Sequence, residues 1–404
     1  MKLVERHIIN KSDKRWKTLD DICFLSKNLY NSALYFIRKR YEETGKLIRY
    51  NDLEKEFKIT NQKDYRSLPN NTSQQILMLI DKNLSSYFKL LSKYKKDKKS
   101  LSGCPKLPHY KDKIKGRNIV IFTINQFNLK NGLIYFPKMT NINYLKTKVD
   151  KIKQVRIIPQ SSCYVIEVVY EKHEKEKTIN DNYLSIDLGL NNLMTCYDTK
   201  NNSSFIINGR PLKSINQYYN KKKSDIQSKL IKNHNKYTSN RLNNLTLKRN
   251  NKINDYLHKS SRFIVNYCVE NDISNIVVGY NKEWKQEINI GKRNNQNFVQ
   301  IPYRLSFYML NYKSLLEGIT LKEHEESYTS KCSALDLEPV MKHDNYIGKR
   351  VKRGLFISSI GIKINADLNG TLNILRKASP DKEILFQTLR CRGQAIWPSK
   401  INLC

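Results

Sequence analysis

Three short apolar runs in close succession restrict the fold of residues 183–208 more than any other feature. They read LSIDL, LMTCY and SFIIN, and Gly, Asn, Asp and Ser residues separate them. Each run is too short for a helix and is bounded by turn residues, which predicts three buried strands. Asp187 lies inside the first run. Its carboxylate is either the solvated end of a strand or a metal ligand, and only the rest of the chain decides between these.

The length and charge of the chain set its general class. With 404 residues it exceeds a single ordinary core, so two or three domains are expected. It carries 73 Lys and Arg against 37 Asp and Glu, a formal charge of +36. Because basic side chains gain affinity by releasing counterions from phosphates, this excess favours a nucleic-acid partner.

The cysteines and the apolar segments indicate where such a protein works. Its eight cysteines form no CxxC pair, which is typical of reduced thiols. No apolar run approaches the roughly 20 residues that span a bilayer, and the charged N-terminus is unlike a signal peptide. The sequence therefore predicts no membrane partner and a cytoplasmic location, in a bacterial cytosol or nucleoid.

The N-terminal half combines strands with helices. Residues 1–10 are predicted to form a strand, residues 19–37 show apolar positions at helical spacing, and a second helix is predicted to open at Thr72 with a capping box to Gln75. From residue 101 the runs NIVIFTI, GLIYF and VIEVVY read as strands. We expect residues 1–10 and 101–180 to form a wedge-like β-barrel, with residues 11–100 inserted as a helical recognition domain.

The C-terminal half is predicted to be a mixed α/β domain over residues 181–378, followed by a tail over 379–404. A long polar helical pair spans 211–270 and contains KKK at 221–223 and KRNNK at 248–252. Then come the strand NIVVGY, a helix around 303–317, the strand ITLKEHEE, the basic hairpin NYIGKRVKRGLF and a last helix beginning near Asp367.

Four carboxylates in this half lie within a strand, at the end of a strand or at the start of a helix. Asp187, Glu325, Glu326 and Asp367 are expected to meet at one edge of the sheet. Clustered carboxylates repel one another unless a cation holds them, so an accessible set would bind Mg²⁺. Two such ions about 4 Å apart activate water in phosphodiester hydrolysis. For any one of these residues taken alone, a solvated carboxylate is the simpler explanation.

Four segments in order resemble the TnpB family, the transposon-encoded relatives of type V CRISPR effectors. They are SIDLGLNNLMTCYD, DYLHKSSRFIV, SYTSKCS and NADLNGTLNILRK, with weaker support from KLPHYKDK. The resemblance implies a multidomain α+β protein ending in an RNase H-like (RuvC) α/β nuclease domain. It also implies that Asp187 and Asp367 are the first and last ligands of two Mg²⁺ ions.

The sequence departs from the family pattern at the fourth strand. The family's glutamate is expected where this chain has Gly279, so either the nuclease is inactive or a carboxylate has moved. YNKEWKQE and the following GKRNNQNFVQIPY resemble a branch of the family with such a rearranged site. Alternation along ITLKEHEE places Glu326 on the face of Thr320 and His324, which favours it over Glu325 as the third ligand. Glu283 and Glu287 are less favoured.

A second departure concerns the family's zinc ribbon. The interval between SYTSK and NAD offers Cys332 and His343, and a structural zinc needs four ligands. We therefore predict no zinc. The hairpin GKRVKRG either covers the active site in the ribbon's place or is an ordinary basic loop.

Four basic residues are candidates for nucleic-acid contacts. Lys331 follows the glutamates, and Arg353 lies in the hairpin. His258 and Arg262 are one turn apart on a predicted helix and so share a face. A solvated surface position is the alternative for each of the four.

The resemblance implies an RNA-guided DNA endonuclease. A guide RNA would select the target double-stranded DNA beside a short flanking motif, with one protein per RNA. The first alternative is a nuclease-inactive RNA-guided DNA-binding protein that acts as a repressor. A strand-exchanging transposase and a protein that binds structured RNA are more distant alternatives.

Overall fold

The chain folds into two compact units, Met1–Lys172 and His173–Cys404, in a computed structural model that describes residues 1–281, 299–379 and 396–403. Several sheets and helices make up these units. The mixed α+β class expected from the sequence is confirmed. The finer division into barrel, helical, nuclease and tail parts stays a prediction.

The helices of the first unit follow the apolar stripes of the sequence. They are α1 (Trp16–Thr44), α2 (Tyr50–Ile59), α3 (Lys63–Arg66) and α4 (Asn70–Lys96). The predicted capping box at Thr72 is wrong, because α4 begins directly after Pro69, whose fixed φ suits a helix start. Thr72 is instead buried, and its hydroxyl accepts a hydrogen bond of 3.0 Å from Gln126 Nε2.

The strands of the first unit form two open sheets. They are β1 (Lys2–Ile9), β2 (Val120–Thr123), β3 (Asn128–Lys130), β4 (Leu133–Tyr135), β5 (Leu145–Lys146), β6 (Ile152–Pro159) and β7 (Tyr164–Glu171). The larger sheet has the antiparallel order β1-β7-β6-β2, and the smaller one the order β3-β4-β5. A closed barrel, as the sequence suggested, is not found among the described residues. Helices α1 and α4 pack against the larger sheet instead, so its apolar face is buried without closure.

A six-stranded sheet forms the centre of the second unit. Its strands are β8 (Tyr183–Leu188), β9 (Asn192–Asp198), β10 (Ser203–Asn208), β11 (Asn275–Gly279), β12 (Thr320–His324) and β16 (Ser399–Ile401), in the order β12-β11-β8-β9-β10-β16. β8 to β10 are antiparallel neighbours, whereas β11 and β12 continue the sheet in parallel with β8. This places the ends of β8, β11 and β12 at the same edge, as parallel strands require.

Four helices and a small sheet complete the described part of the second unit. The helices are α5 (Arg210–His234), α6 (Asn240–Glu270), α7 (Tyr303–Leu316) and α8 (Ala366–Ala378). The predicted hairpin is the first part of a three-stranded sheet of β13 (Lys349–Lys352), β14 (Leu355–Ile357) and β15 (Lys363–Ile364). α8 packs on β8, β9 and β11, and this contact brings the last sequence motif to the first. Among the described residues, no helix has the length and apolar character to cross a membrane.

Candidate active site

Asp187 lies near the end of the central strand β8, where helix α8 passes closely. An added Cβ at Gly370 of α8 would be 3.1 Å from Asp187 Oδ2, so a glycine at this position lets the carboxylate pack against the helix. Burial raises the pKa of Asp187 well above its usual value, and the nearby Glu326 and Asp367 carboxylates raise it further. The charged form of this aspartate is therefore disfavoured without a compensating cation.

Asp367 is held at the N-terminus of α8 by a helix cap. The side chain of Asn365 accepts hydrogen bonds from the backbone N–H groups of Asp367 and Leu368, at 3.0 and 3.2 Å. Both carboxylate oxygens of Asp367 have partners: Asn192 Nδ2 donates to Oδ2 at 2.7 Å, and Arg350 Nη2 lies 3.3 Å from Oδ1. A basic residue of the hairpin thus contacts a candidate metal ligand.

Glu326 enters the site from beyond the end of β12. That strand ends at His324, and the backbone N–H of Glu326 donates to Asn281 Oδ1 at 3.1 Å. Its carboxylate lies in front of Gly279: a Cβ added there would be 2.9 Å from Glu326 Oε2 and 2.4 Å from Ile374 Cδ1. Glu326, which follows the neighbouring strand β12, therefore occupies space that a side chain at position 279 would need.

The carboxylate of Glu326 is poorly compensated. Its Oε2 is buried and has no hydrogen-bond partner among the described residues. Burial raises the pKa of Glu326 to about 7, and the charge of Glu325 adds to this shift. A buried carboxylate oxygen without a donor is costly, so a cation is the partner that its chemistry calls for.

Glu325 has the opposite environment. It is exposed, Lys377 Nζ donates to its Oε2 at 2.6 Å, and the backbone N–H of Ser327 donates to its Oε1 at 2.9 Å. These interactions lower the pKa of Glu325, with the Lys377 hydrogen bond as the largest cause. Glu325 is therefore an ordinary charged surface residue held by a lysine.

Amide side chains of α8 fix the segment that follows Glu326. Asn369 accepts from the N–H of Ala334 at 2.9 Å and donates to the carbonyl of Cys332 at 2.8 Å. Asn373 donates to the carbonyls of Thr329 and Cys332, at 2.9 and 2.7 Å. The SYTSKCS segment is thus tied to the same helix that carries Asp367, so both carboxylates share one rigid support.

Asp187, Glu326 and Asp367 interact electrostatically, but as they lie they are not a finished metal site. Within the described ranges, no three Asp, Glu, His or Cys side chains are arranged to hold a metal ion together. Asn192 and Arg350 occupy the two carboxylate oxygens of Asp367. Mg²⁺ commonly takes only one or two protein carboxylates, with water and phosphate oxygens as further ligands.

The other predicted contact residues lie elsewhere in the second unit. The Lys331 ammonium is 5.8 Å from the ring centre of Tyr346, and Arg353 is exposed between β13 and β14. His258 is exposed on α6, where its backbone carbonyl accepts from Lys313 Nζ at 2.7 Å. Arg262 Nη1 is 3.8 Å from Glu317 Oε1. The contacts named for Lys331, His258 and Arg262 are with residues other than Asp187, Glu326 and Asp367.

The structure brings three residues to the site that the sequence did not single out. They are Arg350, Asn192 and Tyr303; the hydroxyl of the fully buried Tyr303 donates to the carbonyl of Gly189 at 3.0 Å. Burial and the charges of Asp187 and Glu326 raise the pKa of Tyr303, which keeps it a neutral donor. The GKRVKRG motif held the signal for Arg350, but only the register of the hairpin distinguishes it from Arg353.

The remaining candidates from the sequence either contact backbone carbonyls or lie outside the described residues. The Cys332 thiol is buried and lies 3.5 Å from the carbonyl of Met341, while the half-buried His343 donates from Nε2 to the carbonyl of Pro339 at 2.7 Å. That the protein contains no zinc stays a prediction. Glu283 and Glu287, with most of YNKEWKQE and GKRNNQNFVQIPY, lie outside the described residues.

Two family models match separate parts of the chain. Residues 165–285 match OrfB_IS605, described as a probable transposase. Residues 303–374 match the Cas12f1-like TNB domain. The first match contains Asp187, and the second contains Glu326, Arg350 and Asp367. No curated protein matches the chain.

Solved structures show distant likeness along most of the chain. A cryo-EM structure of a Cas12f1–sgRNA–target DNA complex is 15% identical with a TM-score of 0.35, over 92% of this chain and 98% of that one. A CRISPR–Cas12f ternary complex gives 16%, 0.36, 89% and 82% for the same quantities, and the mini-RNA-guided endonuclease CRISPR-Cas phi3 gives 12%, 0.45, 94% and 92%. The two matched segments are similar to the OrfB_IS605 transposases and to the TNB domain of Cas12f1-like proteins, and together they support a TnpB-like relationship to the type V CRISPR effectors.

Proposed function

We propose that the protein is an RNA-guided DNA endonuclease whose active site consists of Asp187, Glu326 and Asp367. One observation carries the proposal: the carboxylate of Glu326 lies in front of Gly279, beside Asp187, with a buried oxygen that lacks a donor among the described residues. A site that no longer bound metal would not need a carboxylate whose oxygen is buried without a hydrogen-bond donor. The arrangement is the one expected if the glutamate has moved to the neighbouring strand.

The donor set fits Mg²⁺. All three candidate ligands are carboxylates, and burial together with neighbouring carboxylates raises the pKa of Asp187 and of Glu326, so a bound cation would favour their charged forms. When bound, Mg²⁺ would supply Lewis-acid activation of water and stabilise charge on the leaving oxygen. Asp187, Glu326 and Asp367 would hold it.

The other residues of the site position and shield these carboxylates. Arg350, once released from Asp367, presents a guanidinium to a phosphate oxygen, for which its planar fork is suited. Tyr303 is fully buried and interacts electrostatically with Asp187 and Glu326, so its ring would help to exclude water from the site. Asn192 orients Asp367 from β9.

The guided part of the proposal is supported by charge and by the family matches. A formal charge of +36 suits backbone contacts to an RNA scaffold and to an RNA–DNA duplex, which proteins read by shape. The guide RNA would select the target double-stranded DNA, and the N-terminal strands and helices would recognise a short flanking motif. We propose one protein per guide RNA.

A nuclease-inactive RNA-guided DNA-binding protein is the second candidate. The contact of Arg350 with Asp367 favours this candidate, because a guanidinium in the place of a metal ion would neutralise the carboxylate charge. Position 279, where the family's glutamate is expected, also favours it.

The two candidates differ in one experiment. The protein is co-expressed with RNA transcribed from beside its gene, and the purified particle is incubated with plasmids that carry the guide match next to a randomised flank. Cleavage that requires Mg²⁺, and that is lost in Asp187→Asn while guide-dependent DNA binding remains, supports the endonuclease. Guide-dependent binding by the original protein without any cleavage supports the inactive binder and overturns the proposed site.

A further inference from the structure

A basic groove runs between helices α5 and α6, apart from the carboxylates. It has a volume of about 900 Å³, and both helices line it. Its apolar floor includes Ile215, Ile226 and Leu245. We refer to it as the α5–α6 groove.

The charge of this groove is one-sided. Lys222 of α5 and Arg241, Lys248, Arg249 and Lys252 of α6 line it, and no carboxylate is among its described lining residues. Between residues 210 and 254 the chain has twelve Lys and Arg and a single acid, Asp225, which pairs with Lys229 outside the groove. No carboxylate among the described lining residues neutralises these five cations, so the groove attracts an anionic partner.

Helical spacing explains why these residues share the groove. Lys248 and Lys252 are one turn apart on α6, and Tyr218 and Lys222 are one turn apart on α5. All three basic residues of the KRNNK segment, Lys248, Arg249 and Lys252, thus line the groove. Only one lysine of the KKK run, Lys222, lines the groove.

Arg249 gives the groove a fixed wall. Its Nε and Nη2 donate to Asn216 Oδ1 at 2.8 and 2.7 Å, and Nη2 also donates to the carbonyl of Gln300 at 2.9 Å. These partners are neutral, so the bonds join α5 to α6 without cancelling the positive charge. The guanidinium also lies 5.6 Å from the ring centre of Tyr219.

Tyr218 adds a feature that a purely basic surface lacks. The residue is 61% exposed and lines the groove, so its aromatic ring is accessible to a ligand there. A positively charged groove with an exposed aromatic ring is the arrangement that binds single-stranded nucleic acids, since bases stack on the ring and phosphates meet the lysines. We infer that the α5–α6 groove binds a single-stranded segment of nucleic acid, with Tyr218 as a stacking platform and Lys222, Lys248 and Lys252 as phosphate contacts.

The test compares two variants with equal loss of charge. The groove variant carries Lys222→Gln, Lys248→Gln and Lys252→Gln. The control carries Lys221→Gln, Lys229→Gln and Lys232→Gln, three exposed lysines of α5 that do not line the groove. Binding of fluorescein-labelled 20-nucleotide uridine and thymidine strands is measured in EDTA over a range of salt concentrations. Because EDTA prevents metal-dependent cleavage, failure of the proposed nuclease would leave this result unchanged.

The expected result is specific to the groove. The groove variant should lose about tenfold more affinity than the control. The slope of log affinity against log salt concentration should become shallower by about two, because each lost phosphate contact removes roughly 0.7 from the slope. Tyr218→Leu should weaken binding about tenfold, and Tyr218→Trp should restore it. The strand type that shows these losses, RNA or DNA, is assigned as the ligand.

Other results overturn the inference. Equal losses in both triple variants would mean diffuse attraction by the whole surface. A Tyr218→Leu protein that binds as tightly as the original, or displacement by polyglutamate as effective as by either strand, would rule out base stacking. Acetylation of lysines in the unmodified protein gives an independent reading: bound strands should protect Lys222, Lys248 and Lys252 more than the three control lysines, and equal protection counts against the groove.

Discussion

Two adjacent glutamates receive opposite environments from their neighbours. Lys377 holds Glu325 in its charged form at the surface, whereas Glu326 turns into the space before Gly279 and keeps a buried oxygen without a donor. Desolvation therefore acts on one carboxylate and an ion pair on the other. The two residues should differ in function as sharply as they do in surroundings.

Substituting each glutamate by glutamine tests this difference. Glu326→Gln should lower guided DNA cleavage by about 10²-fold or more, because it removes a charged ligand from a metal-dependent site. Glu325→Gln should change cleavage by about threefold or less, since an exposed ion pair contributes little. Single-turnover cleavage with saturating Mg²⁺ is the measurement. If Glu325→Gln were the inactive variant, the assignment of the ligand would be wrong.

The pH dependence of stability provides a second test. The pKa of Glu326 is raised to about 7 in the folded state, so between its ordinary value and pH 7 the folded protein binds more protons than the unfolded chain. The free energy of unfolding without metal should therefore fall as pH rises through this window, by up to about 1.4 kcal/mol per pH unit. Urea unfolding in EDTA measures it. Glu326→Gln should flatten the profile, and an unchanged profile would contradict the environment assigned to this residue.

The positive charge of Arg350 leads to a third prediction. Its guanidinium offsets the charges of Asp187 and Asp367, so Arg350→Ala should make the metal-free protein less stable and its thermal stability more dependent on Mg²⁺. Cleavage should fall by about 10-fold to 10²-fold, as expected for a lost phosphate contact. Arg353→Ala, on the exposed turn of the same hairpin, is the matched control. Equal effects of the two substitutions would indicate only general electrostatic attraction.

The sequence predicted some of these residues, and for Glu326 the structure gives a different reason. Asp187 and Asp367 stand in motifs whose local structure is strong, a buried strand and a capped helix. Glu326 was favoured by alternation along a strand, but β12 ends at His324, so alternation no longer applies there. Burial, Asn281 and Gly279 distinguish the two glutamates, and these contacts are distant in sequence.

At the scale of elements, helix α8 organises the candidate site. Its first turn carries Asp367, its glycine admits Asp187, and its buried amides hold the segment after Glu326. Element positions were largely predictable, because apolar periodicity is local. The start of α4 and the closure of the N-terminal sheet were not, since Pro69 and the covering helices decide them.

Removing the Asn369 amide tests whether helix α8 both stabilises the fold and positions Glu326 for cleavage. Asn369→Leu leaves the N–H of Ala334 and the carbonyl of Cys332 buried without this partner, which should cost about 1–3 kcal/mol of unfolding free energy. Cleavage should fall as well, because Glu326 loses its fixed support. Asn251→Leu, at an exposed position of α6, is the control and should stay within about 0.5 kcal/mol. Urea unfolding and cleavage assays measure the two effects; unchanged cleavage in a destabilised Asn369→Leu would show that this anchor serves stability alone.

For the whole molecule, the two compact units differ in what they contain. The second unit has its own apolar cores and holds all three proposed ligands together with the α5–α6 groove. Residues 173–404 expressed alone should therefore unfold cooperatively in urea and keep a stabilisation by Mg²⁺ that Asp187→Asn removes. A fragment that unfolds gradually, or that ignores Mg²⁺ while the full chain responds, would mean that the first unit completes the site.

The space shared by Gly279 and Glu326 links the two positions. A glutamate restored at position 279 would collide with Ile374 and with the carboxylate already in place, while loss of Glu326 alone would leave the site one ligand short. A side chain at position 279 therefore requires the ends of Ile374 and Glu326 to move aside, so we expect the residues at positions 279 and 326 to be coupled: a glutamate at one of them fits best when the other leaves it the space.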